Sequence, residues 1–253
     1  MPSRAQVPQG PGAHGPEAGT HNPGSRFMLV AGEASADDYG ARLATAIRQL
    51  CPDARFFGMG GPRMREAGVE LVFDATHRGT VGVVEAVREL PLYRRLLFRL
   101  ARAAQELRPD ACVLMDFPGF NLRLGPLVRR LGIPVIYYIP PAVWAWGAGR
   151  ARQVASFASQ VLCVFDFEVK LYQAAGARAR WVGHPVVEDV PPRPPVEQAR
   201  RELGLDPGCP VVALLPGSRR QELERLLPVM LETVARTWAQ RPQLQCVVSV
   251  APG

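Results

Sequence analysis

Lysine is nearly missing from this chain. Lys170 is the one lysine among 30 basic residues, so a formal charge of +7 rests on arginine. A basic balance of this kind favours anionic partners such as phosphate, nucleotide or acidic lipid. No basic run with interleaved aromatics is present, which argues against nucleic acid. No apolar run reaches membrane-span length, and the first residues lack the apolar core of a signal peptide. The five cysteines (Cys51, Cys112, Cys163, Cys209 and Cys246) are odd in number and without CxxC spacing. They read as buried free thiols in a reducing compartment, so a cytoplasmic location is expected. The turn after the first apolar run, Gly32 to Gly40, is not GxGxxG, which weakens a dinucleotide reading. GxSxG is absent too, which removes support for an esterase.

What remains is a chain of 253 residues, 47% hydrophobic, enough for one large domain or one domain and part of another. Residues 1–25 are rich in Gly, Pro, Ala and His without apolar period and read as a disordered leader. His14 and His21 fall there and read as solvated.

From Arg26 on, short apolar runs alternate with helical periods, the pattern of an α/β doubly wound parallel sheet. Phe27–Ala31 is a strand, then a small-residue turn through Glu33, Ser35 and Asp37 leads to a helix over Ala41–Leu50. Ser35 or Asp37 can cap that helix, and its free N–H groups suit an anion. Strands follow at Arg55–Gly58 and Val69–Phe73, with a glycine turn between them.

A helix is expected over Leu90–Leu107. Tyr93, Leu96, Leu97, Leu100, Ala104 and Leu107 share one face of it, and Arg94, Arg95, Arg99 and Arg102 the opposite one. The basic face is either solvated or, together with an apolar loop at Val81, Val83 and Val84, a seat on an anionic membrane surface.

The stretch Ala111–Leu124 organises the chemistry. Cys112–Met115 reads as a strand buried on both faces, and it ends in Asp116. Pro118 and Gly119 break it, and Asn121 can cap a helix from Leu122. A carboxylate at the carboxyl end of a parallel strand faces the crevice where open α/β sheets bind ligands. Asp116 is therefore the leading candidate for catalysis, beside the plainer reading of a solvated strand-end Asp. Trp144 and Trp146 can stack on a sugar, line an acyl groove or fill the core. His184, beside Pro185, is either a site residue or a turn residue.

Residues 26–189 are thus expected to form an amino-terminal Rossmann-like domain, 190–208 a Pro-rich linker, and 209–253 the start of a second domain. That last part contains only β-α-β and reads as incomplete.

Several turns in order carry a resemblance. They are Gly32-Glu-Ala-Ser35 with Asp37, Gly60-Gly-Pro-Arg-Met64, Gly82 with Glu85, Asp116 with Asn121, Val143-Trp-Ala-Trp146, Phe167-Glu168, Val182-Gly-His-Pro185 and Leu214-Leu-Pro-Gly-Ser-Arg219. The series resembles lipid-A-disaccharide synthase, an inverting glycosyltransferase of the GT-B fold. Departures from the family pattern stand at Ala36, Gly119, Pro140, Ala142, Gly147 and Asp166. The resemblance implies that UDP-2,3-diacylglucosamine is joined to 2,3-diacylglucosamine 1-phosphate with release of UDP, without cofactor or metal, by an enzyme peripheral on the inner membrane. It implies Asp116 as general base. It further implies Gly217, Ser218, Arg219 and Glu222 around the donor phosphate, and Glu33, Ser35, Asn121, Trp144, Trp146 and His184 as residues orienting sugar or loop. A non-catalytic acceptor- or membrane-binding module is the alternative. A sugar-nucleotide epimerase of similar fold explains the sheet but not the order of motifs.

Overall fold

The computed structural model describes residues 24–74, 90–147, 149–217 and 220–250. The expected leader, apart from its last two residues, and the apolar loop at Val81, Val83 and Val84 lie outside the described residues. The chain divides into two compact units, Met1–Val187 and Glu188–Gly253.

In the first unit, seven strands form one sheet: β1 (Arg26–Ala31), β2 (Arg55–Gly60), β3 (Val69–Asp74), β4 (Ala111–Met115), β5 (Val135–Tyr138), β6 (Gln160–Cys163) and β7 (Ala179–Trp181). Their spatial order is β3-β2-β1-β4-β5-β6-β7, and every neighbouring pair is parallel. Parallel strands need crossovers, and helices supply them on both faces. These are α1 (Ala34–Leu50), α2 (Pro62–Glu66), α3 (Leu90–Leu107), α4 (Pro118–Arg130), α5 (Val143–Trp146), α6 (Gly149–Ala155) and α7 (Asp166–Ala174).

Alternation along each strand feeds two cores. In β1, Met28 and Val30 enter a core shared with Leu96, Leu100 and Ala104 of α3, Leu124 and Val128 of α4, and Tyr172 of α7. Leu29 and Ala31 enter the opposite core, with Ala36 and Ala44 of α1 and Met64 of α2. This two-faced burial is why the strands read as continuous apolar runs. Helix α3 has the bounds and the faces its periodicity predicts. Leu96, Leu100 and Ala104 are buried, while Arg94, Arg95, Arg99 and Arg102 are exposed.

The second unit holds β8 (Val211–Leu214) and β9 (Gln245–Val248), paired in parallel. It also holds helices α8 (Val196–Glu202) and α9 (Arg220–Gln240). The Trp238 indole donates to the carbonyl of Leu244 at 2.6 Å and fastens α9 to the entry of β9.

Two helix starts differ from the sequence expectation. Helix α1 begins at Ala34 rather than Ala41, so Ser35 and Asp37 lie inside it and cannot cap it; Glu33 is its N-cap residue, without a side-chain cap bond. Helix α4 begins at Pro118 rather than Leu122, with Phe117 at the cap position. Pro118 starts this helix instead of merely ending the strand, because the first helical position has no N–H bond to lose and suits the fixed φ of proline.

Candidate active site

All strands of the sheet are parallel, so their carboxyl ends share one edge. Strand order reverses between β1 and β4, the switch point where crossovers leave to opposite sides and open a crevice. Ala31 pairs with Met115 across that point. The chain therefore leaves β1 through Gly32 and Glu33, and β4 through Asp116 and Phe117, side by side. Glu33 and Asp116 are both partly buried there, and Ser35 is exposed in the first turn of α1.

The exit from β4 is a left-handed elbow. Asp116 has φ 44° and Phe117 φ 46°, conformations that cost a non-glycine residue about 1–2 kcal/mol each. Hydrogen bonds and packing hold it. The Asn121 amide nitrogen donates to the carbonyls of Met115 (3.1 Å) and Asp116 (2.7 Å). The Tyr137 hydroxyl donates to the Asp116 carbonyl at 2.9 Å, and the Asp116 N–H donates to Ile139 O at 3.2 Å. The Phe117 carbonyl accepts from the N–H groups of Phe120 (3.1 Å) and Asn121 (3.0 Å), which closes the first turn of α4. The Phe117 ring stacks on Phe120 with centroids 5.6 Å apart. It also lies over Gly32, where a Cβ would come within 2.2 Å of Phe117 Cδ1. Gly32 is thus required by the close approach of the two strand exits.

Asn121 consequently has a different task from the cap expected of it. Its side chain is fully buried and reaches back to the strand end, so it shapes the loop that carries Asp116. Asp37 is reassigned in the same way. Its carboxylate is 2% exposed and accepts from the N–H groups of Gly61 (2.6 Å), Arg63 (3.0 Å) and Met64 (3.1 Å). It caps α2, the neighbouring helix, and not α1.

A second polar cluster lies at the exit of β6. Glu168, in the first turn of α7, is 2% exposed. Burial pushes its carboxyl above the usual carboxylate range, opposed by hydrogen bonds from the Phe165 backbone and from the Trp144 side chain. Its Oε2 is buried without a hydrogen-bond partner among the described residues. Tyr172, one turn on, donates to the carbonyl of Pro141 at 2.7 Å and ties α7 to the segment before α5. Sequence reasoning placed Glu168 in a motif but not in the site. The available signal was an acidic residue between Phe167 and Val169 on a helix whose other face is apolar.

Around this cluster runs an aromatic strip. Trp144 is 58% exposed and meets Phe167 edge-on at 6.0 Å. Phe165 stacks on Phe167 at 5.6 Å, and His184 lies 5.9 Å from Phe165 and 6.0 Å from Tyr39 of α1. Trp144 is therefore a surface residue and not core. The His184 Nδ1 accepts from the Val186 N–H at 3.2 Å, so the turn and site readings of this residue meet in one place. Trp146 ends α5, and its side chain lies outside the described residues.

In the second unit, Gly217 has φ 100°, and a Cβ there would come within 2.3 Å of Glu222 Oε2. Glu222, at the start of α9, folds back over the glycine turn. Ser218 and Arg219 lie outside the described residues. On α3, Phe98 stands 56% exposed within the arginine face, with the Arg94 guanidinium 5.9 Å from its ring. No helix among the described residues is long and apolar enough to cross a membrane. Among the same residues no group of three or more His, Cys, Asp or Glu side chains is placed to hold a metal ion.

A doubly wound parallel sheet with a carboxylate elbow at its switch point, followed by a parallel β-α-β unit, defines a Rossmann-like chain of the GT-B type. Solved structures share this fold. The UDP-GlcNAc 2-epimerase from Neisseria meningitidis bound to UDP-GlcNAc superposes with a TM-score of 0.59 at 11% identity, over 89% of this chain and 66% of that one. A UDP co-structure of MnaA from S. aureus gives 0.57 at 9% identity, over 90% and 63%. At such identities the likeness concerns the fold alone.

Sequence comparison is more particular. The model of the family described as lipid-A-disaccharide synthetase matches residues 27–253, and the chain belongs to that family. The lipid-A-disaccharide synthase of Myxococcus xanthus is 47% identical over 227 residues, 90% of this chain and 59% of that protein. That of Geobacter sulfurreducens is 41% identical over 232 residues, 92% and 60%. The chain thus spans about three fifths of the length of these relatives.

Proposed function

We propose that the chain carries the acceptor side and the first part of the donor side of a lipid-A-disaccharide synthase. The reaction joins UDP-2,3-diacylglucosamine to 2,3-diacylglucosamine 1-phosphate. Residues 26–189 form the acceptor- and membrane-side domain, 190–208 the linker, and 209–253 the start of the donor-binding domain. The observation that carries the reading is the elbow. Asp116 stands at the crevice edge, on a backbone held in a costly conformation beside the Gly32–Glu33 turn.

Asp116 acts as general base. Its carboxylate takes the proton of the acceptor 6-hydroxyl as that oxygen attacks the donor anomeric carbon from the face opposite the diphosphate. The bond from the anomeric carbon to the UDP oxygen breaks, and UDP leaves with the bonding pair. Inversion turns an α donor into a β-1,6 linkage. The growing charge on the diphosphate falls to Arg219 and to backbone N–H groups of the Gly217–Ser218 turn ahead of a helix, a familiar seat for phosphate. Glu33, Ser35, Trp144, Trp146 and His184 orient the sugars.

The substrates are lipids, and α3 supports a seat on an anionic inner-membrane surface. Its four arginines face solvent together with Phe98, an arrangement that suits acidic headgroups. The enzyme would then work as a peripheral protein on the cytoplasmic side.

The direct test incubates the purified chain with both substrates and follows disaccharide and UDP. Asp116→Asn is expected to lower turnover at least about 100-fold, and full activity in that variant would remove Asp116 from the role of base. For the surface, replacing Arg94, Arg95, Arg99 and Arg102 with Ser should abolish sedimentation with phosphatidylglycerol vesicles. Unchanged sedimentation would move the contact elsewhere.

A further inference from the structure

The Tyr137 hydroxyl is the one side-chain group outside α4 that touches the elbow backbone through a described hydrogen bond. Tyr137 lies in the middle of β5, next to β4, and is fully buried. Its hydroxyl donates to the carbonyl of Asp116 at 2.9 Å. The same carbonyl accepts from Asn121 Nδ2 at 2.7 Å. Two buried donors thus converge on one peptide oxygen, that of a left-handed aspartate.

The Asn121 amide cannot be turned over without setting its oxygen against the carbonyls of Met115 and Asp116, so its orientation is fixed by the backbone it serves. Its Oδ1 is buried without a partner among the described residues. Burial, chiefly, pushes the Tyr137 phenol well above its ordinary range, with the Asp116 charge adding to the rise. The hydroxyl therefore keeps its proton and remains a donor. β5 is itself set by its register with β4, in which Leu114 pairs with Tyr137. The bond from Tyr137 thus refers the position of the elbow to the neighbouring strand, across the sheet.

We propose that Tyr137 is a positioning residue: its hydroxyl, with Asn121, clamps the Asp116 carbonyl and so sets the left-handed backbone that points the carboxylate into the crevice. The role in turnover assumes Asp116 as the base, whereas the clamp itself does not. No local pattern marks Tyr137, because its partner is a backbone atom at the end of another strand.

The test compares wild-type chain with Tyr137→Phe and with 3-fluorotyrosine installed at position 137. Phenylalanine keeps the ring contact with Phe157, whose centroid is 6.4 Å away, so the fold should be retained. The one-bond Cα–Hα coupling at Asp116, which separates positive from negative φ, is read by NMR in each. In Tyr137→Phe it is expected to leave the left-handed value, and with fluorotyrosine, which keeps the hydroxyl, to retain it. Turnover in Tyr137→Phe should fall about tenfold in kcat with KM changed less than about twofold, the signature of a misplaced group rather than lost binding. An unchanged Asp116 coupling in Tyr137→Phe overturns the clamp, as does a fluorotyrosine protein that behaves like Tyr137→Phe. If Asp116→Asn retains activity while the coupling moves, the base assignment fails and the clamp stands.

Discussion

The Asp37 carboxylate offers a quantitative test of the fold beneath the site, because one side chain serves three buried or partly buried N–H groups on another element. It is 2% exposed and bonds Gly61, Arg63 and Met64 at 2.6, 3.0 and 3.1 Å. Losing a cap to alanine costs about 0.5–2 kcal/mol, and each further buried N–H left without a partner costs about 1–3 kcal/mol. Allowing for relaxation, Asp37→Ala should lose about 3 kcal/mol. For a unit of this size, about 2–4 °C of Tm per kcal/mol gives a fall of about 6–12 °C. Asparagine separates this arrangement from an ordinary local cap. As a cap of its own helix, Asn would serve about as well as Asp. Across to α2, the amide NH2 must face one of the three donors, so Asp37→Asn should lose about 1–2 kcal/mol. Thermal and urea unfolding followed by circular dichroism measures both. A loss below about 1 kcal/mol in Asp37→Ala, or none in Asp37→Asn, would refute the three-bond cap.

The glycine at the switch point should tolerate no side chain: Gly32→Ala drives a methyl into the Phe117 ring. It is expected to lose about 1–3 kcal/mol in urea unfolding, with disturbed Phe117 and Phe120 ring resonances. Glu168 gives a pH signature. Its folded-state carboxyl titrates above the ordinary 4.5, so below that value both states are protonated and nothing is lost. As pH rises, the unfolded chain ionises first and stability falls until the folded carboxyl has also titrated. Urea unfolding of wild type and Glu168→Gln should therefore show the glutamine variant gaining on wild type as pH rises above the ordinary 4.5. A gap that does not change with pH would contradict the burial of this group.

How far the sequence could be read depended on whether a residue's partner was local. Helix α3 was legible to its ends, because an apolar stripe and an arginine stripe of the same period define it together. The first turns of α1 and α4 were not. Ala34-Ser-Ala-Asp-Asp carries no apolar period, and Pro118-Gly119 reads as a break when proline is judged by what it interrupts. The polar residues in these turns also serve partners on other elements. Asp37 completes a helix that begins at Pro62, and Asn121 and Tyr137 support a strand end from two different elements. Asp116 was singled out from its place after a buried strand, and the left-handed backbone at that position has no marker in the sequence around it.

The two polar residues misread as local caps share a cause, and it bears on the chemistry. In a doubly wound sheet every strand exit at the carboxyl edge must turn within a few residues into a helix, and exits from neighbouring strands crowd one another. Gly32 and Phe117 show that crowding: a Cβ on Gly32 would come within 2.2 Å of the Phe117 ring. Each exit is supported in part by its neighbour: Gly61 and the start of α2 by Asp37 of α1, and Asp116 by Tyr137 of β5 beside Asn121 of its own helix. A change at one exit is therefore transmitted to the next along the edge. The backbone that carries the Asp116 carboxylate is held by the buried side chains of Asn121 and Tyr137. Substitutions at Tyr137 or Gly32 should accordingly disturb turnover as specifically as substitutions in the crevice itself, while the sheet beneath remains folded.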